Sequence, residues 1–233
     1  MDLVSSWIKS SGLAINPTKS TLLVISRKRV KPCPFLVINS INIPSAETVK
    51  YLGVTISSDL KWNDHILNTC NSAKRKLGLL YRNFHQADQR TLAHLYKALV
   101  LPKLDYCSSV WDLHSTMLTD RLEAVQRFAA KLCSKRWSDS PSQLLSSLNW
   151  PSLRTHRIRQ KAQLCARIIK NASIIQPHSY FHPHPNRNPR IHHSCPVLVP
   201  FARTSSFQFS FFVSVCQLRN SLPGHMVPLT SAH

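Results

Sequence analysis

The sequence predicts an α+β protein that is mainly α: a small antiparallel sheet, then a basic helical bundle, then an irregular tail. Three observations carry this expectation. From Val49 to Ile56 apolar and polar side chains alternate with the period of a half-buried strand. From Ile66 the period lengthens, and Ile66, Cys70, Ala73, Leu77, Leu80 and Phe84 recur at helical spacing. Beyond about Asn171 the composition turns to Pro, His, Ser and Arg, which interrupt regular structure rather than propagate it.

The elements follow in order. Leu3, Val4, Trp7 and Ile8 fall at helical spacing, and Ser11-Gly12 closes that short helix. Thr21 to Ile25 and Phe35 to Ile38 are compact apolar runs joined by the basic segment Arg27 to Pro34, the pattern of a hairpin. Asn39 to Asn42 is a tight connection, and Val49 to Ser57 is the main strand, in which Gly53 marks a bend or a close backbone approach. So few strands suit the edge of a larger sheet.

On the first long helix Lys74, Arg75, Lys76 and Arg82 lie off the apolar stripe. Asp88 is placed to cap a second helix carrying Leu92, Leu95 and Leu99, which Pro102 should end. After the connector Leu104 to Trp111, a third stripe runs through Leu118, Leu122, Val125, Ala129 and Leu132, with Arg127, Lys131 and Lys135 opposite it. A three-helix bundle is the economical arrangement. Ser138 to Ser147 reads as loop and short helix. A last long helix follows Trp150-Pro151, with Arg154, Arg157, Arg159, Lys161, Arg167 and Lys170 spread around it.

The composition excludes several function classes. Thirty Lys and Arg against ten Asp and Glu give a formal charge of +20, with twelve His besides. Such a field favours a polyanion, through phosphate neutralisation and counterion release. Four glycines and no phosphate-loop or dinucleotide fingerprint argue against a nucleotide-cradling enzyme. Seven scattered cysteines without a Cys-x-x-Cys read as reduced, mostly buried thiols. With no apolar run of membrane-spanning length and no signal-peptide pattern, the expected setting is intracellular, nucleus or cytoplasm, without a membrane partner.

Several motifs then occur in one order: Trp7; Gly12-Leu13-x-Ile15-Asn16-x-x-Lys19-Ser20; Tyr51-Leu52-Gly53; Asp59-Leu60-x-Trp62; His65-Ile66; Leu95-Tyr96; Val100-x-Pro102-x-Leu104-x-Tyr106; Val110-Trp111; and Leu122-Glu123-x-Val125-Gln126. Together they resemble the reverse transcriptases of non-LTR (LINE-type) retrotransposons. The tail segment Leu218-Arg219-Asn220-Ser221-Leu222-Pro223 resembles the close of fish-type LINE reading frames, with Arg219 where that family has Trp, an exchange expected to loosen docking of the tail.

The resemblance implies a palm remnant over residues 1–57, a thumb-like helical domain over 58–171 and a tail over 172–233. It puts Lys19 near an incoming nucleotide. It makes Lys50, Tyr51, Leu52 and Gly53 a primer-grip strand. Lys74, Arg75, Arg127, Lys131 and Lys135 become candidates for nucleic-acid contact. The implied partner is an RNA/DNA primer–template or single-stranded RNA, with no small-molecule substrate.

Nucleotidyl transfer in that family needs aspartates holding two divalent metals about 4 Å apart. No adjacent acidic pair occurs; Asp59 with Asp64 and Asp120 with Glu123 come nearest, and both read as cap or helix-surface residues. The chain by itself is therefore expected to be inactive and to carry no cofactor, with Mg2+ relevant only if a catalytic palm is supplied. The alternative reading is a basic RNA- or protein-binding adaptor derived from a transposable element, with Arg27-Lys28-Arg29-Val30-Lys31 as a nuclear localisation signal. His182, His184, His192, His193 and Cys195 invite a zinc reading, but their spacing fits no standard site and no metal is expected.

Overall fold

The computed structural model describes residues 6–8, 10–26, 28, 34–38, 41–112, 115–170, 173–183 and 197–222. Its Cα trace divides into two compact units, residues 1–65 and 66–233. The chain is mainly helical, with small two-stranded sheets, as its patterning implies.

In the first unit residues 6–8 are helical (α1). The helix closes as its sequence suggests: Gly12 takes a left-handed φ of 66°, and the Leu13 amide donates back to Ile8 O at 3.1 Å. Asn16 caps the 3-10 turn Pro17–Lys19, its Oδ1 accepting from the Thr18 amide at 3.0 Å.

Among the described residues six short strands follow, β1 (Leu22–Leu23), β2 (Val37–Ile38), β3 (Ile41–Asn42), β4 (Ser45–Ala46), β5 (Thr48–Tyr51) and β6 (Val54–Ser57). They pair two by two: β1 with β4 in parallel, β2 with β3 and β5 with β6 antiparallel. Among the described residues the sheet is thus three separate ladders rather than one antiparallel sheet, and β1 pairs with β4 rather than with β2. The segment expected to be a connection, around Ile41 and Asn42, is the strand that β2 pairs with.

The main strand is in fact a hairpin. Leu52 at φ 45° and Gly53 at φ 84° put two consecutive residues in the left-handed region, the geometry of a two-residue type I′ turn. The register Tyr51↔Val54 and Val49↔Ile56 keeps the alternation intact on both arms, so a period of two runs straight through the fold-back. After β6, Asp59 Oδ1 lies 2.7 Å from Ser57 Oγ and accepts from the Lys61 amide at 3.0 Å. His65, buried, accepts through Nδ1 from the Thr55 amide at 3.2 Å, so its proton belongs on Nε2.

The second unit is helical. It comprises most of α2 (Asn63–Phe84), then α3 (Gln89–Leu95), α4 (Leu101–Asp105), α5 (Thr116–Ser134), α6 (Pro141–Ser147), α7 (Leu153–Ile169), α8 (Ser205–Gln208) and α9 (Phe211–Ser221). Ile66, Cys70, Ala73, Leu77 and Leu80 are buried along α2, while Phe84, in the last turn, is exposed.

Pro102 does not end the second helix. Between α3 and α4 the backbone widens into a π-helical segment, Tyr96–Val100, and Pro102 sits in the first turn of α4. A proline cannot donate to the carbonyl four residues back and crowds it; a wider turn accommodates both. The widening also moves the buried face. Leu92, Tyr96, Val100 and Leu104 are buried, whereas Leu99 is exposed.

α5 is the hub, packing on α3, α6 and α7, and α7 packs in turn on α4 and α9. The bundle is therefore larger than three helices. The described tail is largely irregular over 173–183 and 197–204 but ends in α9, which packs on α7 with Val215 in one apolar cluster with Cys165 and Ile169. The described parts of the tail fall within the second unit, and the first unit runs to His65. Arg219, expected to loosen this docking, is itself buried on α9.

Candidate functional site

The hairpin tip carries four of the candidate residues together. Lys50, Tyr51, Leu52 and Gly53 are all exposed at the β5–β6 turn, where Leu52 is 73% exposed despite being a large apolar residue. Lys19 is exposed at the end of the 3-10 turn.

In the helical unit, Lys74 and Arg75 are exposed on α2 beside Lys76, whose Nζ donates to Leu99 O at 2.9 Å. Two of the α5 cations are engaged by backbone carbonyls, one within the helix and one beyond it. Arg127 Nη2 reaches Asp120 O at 3.4 Å, and Lys131 Nζ donates to Trp137 O at 3.1 Å. Lys135 ends α5 in a left-handed conformation, φ 57°, and is exposed. Cations in this last turn also oppose the negative end of the helix dipole.

Two groupings were not foreseen. Arg90, His94 and Lys97, spaced along one helical face, line a cleft of about 530 Å³ with Ser147, Leu148 and Trp150. The i, i+4, i+7 spacing of the three was available in the sequence as a signal.

The other is a polar seam that α7 buries. His156 Nδ1 meets Asp105 Oδ2 at 3.2 Å, Ser108 Oγ donates to Gln160 Oε1 at 2.6 Å, and Arg157 Nε donates to Asp112 Oδ1 at 3.2 Å. Lys161 pairs with the other Asp112 oxygen and donates to Ser214 Oγ of α9 at 2.8 Å. Arg157 and Lys161 are therefore spent inside the protein, while Arg154, Arg159, Arg167 and Lys170 remain exposed. Burial pushes the Asp105 carboxyl above its ordinary range, against the pull of His156 and Arg157.

Glu123 secures the start of the same helix, its carboxylate accepting from the Leu153 and Arg154 amides at 3.3 and 2.9 Å. Burial likewise pushes the Cys133 thiol up to about 12 and the Cys165 thiol up to about 11, so both stay protonated and unreactive near neutrality.

Each of the two nearest acidic pairs of the sequence has one member bound to other groups. Glu47, Asp59 and Asp64 border one cleft, but Asp59 is committed to Ser57 and Lys61, and those contacts hold its carboxyl below the usual range. Glu123, the partner considered for Asp120, is committed to α7. Among the described residues no three His, Cys, Asp or Glu side chains are grouped to hold a metal ion. His184, His192, His193 and Cys195 lie outside the described residues, as do Arg27, Arg29, Val30 and Lys31. No helix among the described residues is long and apolar enough to cross a membrane.

Exposed cations on a helical scaffold characterise the described surface, and sequence similarity relates this chain distantly to an RNA-directed DNA polymerase of a transposable element. It is 25% identical over 131 residues to the probable RNA-directed DNA polymerase from transposon X-element of Drosophila melanogaster, a match covering 55% of this chain and 14% of that protein. The chain thus spans only a small part of that relative. No protein-family model matches it, and no solved structure matches it.

Proposed function

We propose that this chain is the C-terminal part of a non-LTR-type reverse transcriptase: a palm edge with a primer-grip hairpin, a thumb-like helical domain and a docked tail. In this reading it binds primer–template or single-stranded RNA non-specifically, in the nucleus or cytoplasm, and does not itself catalyse nucleotidyl transfer. The observation that carries the reading is the sorting of charge on α2, where Lys74, Arg75 and Lys76 are exposed while Ile66, Ala73 and Leu77 are buried. The similarity to the transposon polymerase supplies the kind of polyanion. Exposed cations without base-reading geometry hold a duplex by its phosphates and do not discriminate sequence.

The test is a salt titration of binding to an RNA/DNA duplex. The logarithm of the affinity should fall linearly with the logarithm of salt concentration, by about 0.9 per phosphate neutralised. Lys74→Ala with Arg75→Ala should reduce that slope by about 2 if each cation neutralises one phosphate. An affinity that stays flat from low to moderate salt would refute the reading.

A further inference from the structure

We infer that the C-terminal end of α5 is a base-stacking site for single-stranded nucleic acid, with Trp137 as its platform and Phe128 as its flank. The inference rests on the nucleic-acid reading above and adds to it a strand type and a mechanism that phosphate contacts do not supply.

Phe128 lies on the solvent side of α5, outside the arc formed by Leu118, Leu122, Val125, Ala129 and Leu132. Trp137 sits in the turn just beyond the helix. Their ring centroids are 6.0 Å apart and the planes are inclined by 56°, and the two residues remain 42% and 50% exposed. The contrast with a second tryptophan of this unit is informative. Trp150 lies flat on Tyr96, centroids 4.3 Å apart, and both are buried. A tilted pair does not cover its own faces, so Trp137 keeps aromatic surface for a third ring.

The surroundings select what that ring belongs to. Lys131, Lys135 and Arg136 lie in the last turn of α5 and the turn beyond it, close to Trp137 in the chain, and the Asp139 carboxylate approaches Arg136 at 3.9 Å. An apolar protein segment would have to desolvate these cations, whereas a nucleic acid strand brings phosphates for them and bases for the rings. A duplex keeps its base faces stacked inside, so only an unpaired strand can use the platform. The turn is also held independently of the indole, because Lys131 Nζ donates to the Trp137 carbonyl rather than to its side chain.

The experiment compares wild type, Trp137→Ala and Trp137→Phe in the full chain, binding oligo(U) and an RNA/DNA duplex across a salt series. Trp137→Ala should weaken oligo(U) binding by roughly 5- to 150-fold. Its salt slope and its duplex affinity should be unchanged, and Trp137→Phe should recover most of the loss. A half-exposed residue on a backbone-held turn should leave the urea midpoint of both variants at the wild-type value. Unaltered oligo(U) binding by Trp137→Ala overturns the inference, as does an equal loss on both ligands or a phenylalanine variant no better than alanine. Failure of the wild type to bind either ligand in a salt-dependent way would instead overturn the broader reading of the chain as nucleic-acid binding.

Discussion

Asn220 holds the backbone of Val197 from both sides: its Nδ2 donates to Val197 O at 2.8 Å, and the Val197 amide donates to its Oδ1 at 3.0 Å. A primary amide is well suited to this reciprocal pairing, which imitates a strand partner. The pair ties the segment before α8 to the last turns of α9, and Val197 is buried beneath it. Replacing Asn220 with Ala leaves a buried amide and carbonyl unpaired, at a cost of about 1–3 kcal/mol. Urea denaturation should show the loss, and limited proteolysis should cut sooner between Val197 and Phe211.

Asp112 pairs with two buried cations, Arg157 and Lys161. Asp112→Asn removes the charge and strands both cations in a desolvated setting. Since Asp112 itself is about a quarter exposed, the expected cost is at the low end for a broken buried pair, about 3 kcal/mol. Adding Arg157→Met and Lys161→Met should restore much of it in an equilibrium denaturation series, because apolar replacements remove the unpaired charges as well.

Asp105 predicts a pH dependence with a definite sign. Its folded-state pKa is raised above the ordinary value of 3.8 because burial disfavours the carboxylate, with His156 and Arg157 opposing. The folded state then holds the proton more tightly than the unfolded state. The associated stability is fully present below the unfolded pKa and is lost as pH rises through the raised folded value. Relative to Asp105→Asn, the wild type should therefore lose stability as pH is raised from 3.8 into the range above it. Paired denaturation curves at stepped pH read this difference directly, and a constant gap between the two proteins would contradict it.

Leu52 occupies the first turn position of the β5–β6 hairpin at φ 45°, where a branched apolar side chain is unfavourable and Asn followed by Gly is preferred. The side chain is largely exposed, so little packing is lost by changing it. Leu52→Asn should slow amide exchange in β5 and β6, corresponding to about 1 kcal/mol of added hairpin stability. If Leu52 grips a primer, the same variant should weaken primer–template binding while the hairpin becomes firmer, a combination that a purely structural role would not produce.

Local pattern carried much of the fold. The α2 stripe was legible because Ile66, Ala73 and Leu77 repeat with the helical period, and the buried residues of α5 were legible for the same reason. Gly12 and the Asn16 cap were legible because each acts on a chain neighbour. The candidate cations were partly legible: Lys74 and Arg75 are exposed as their place off the stripe implied, yet Lys131 is engaged by the carbonyl of a residue beyond its own helix.

By itself, then, the sequence determined the fold class, the helical second half and the basic character of the chain, since these depend on composition and on periods shorter than one element. Tertiary structure alone decided the pairing of β1 with β4, the fold-back at Leu52-Gly53 and the π-turn that lets the helix pass Pro102. It also decided which cations are free. Arg157 and Lys161 read in sequence like any solvated pair on a basic helix, and only the arrival of Asp112 and Ser214 from distant parts of the chain makes them internal. Partner choice over long separations leaves no trace in a local period, because the period records which face is buried and not what is buried against it.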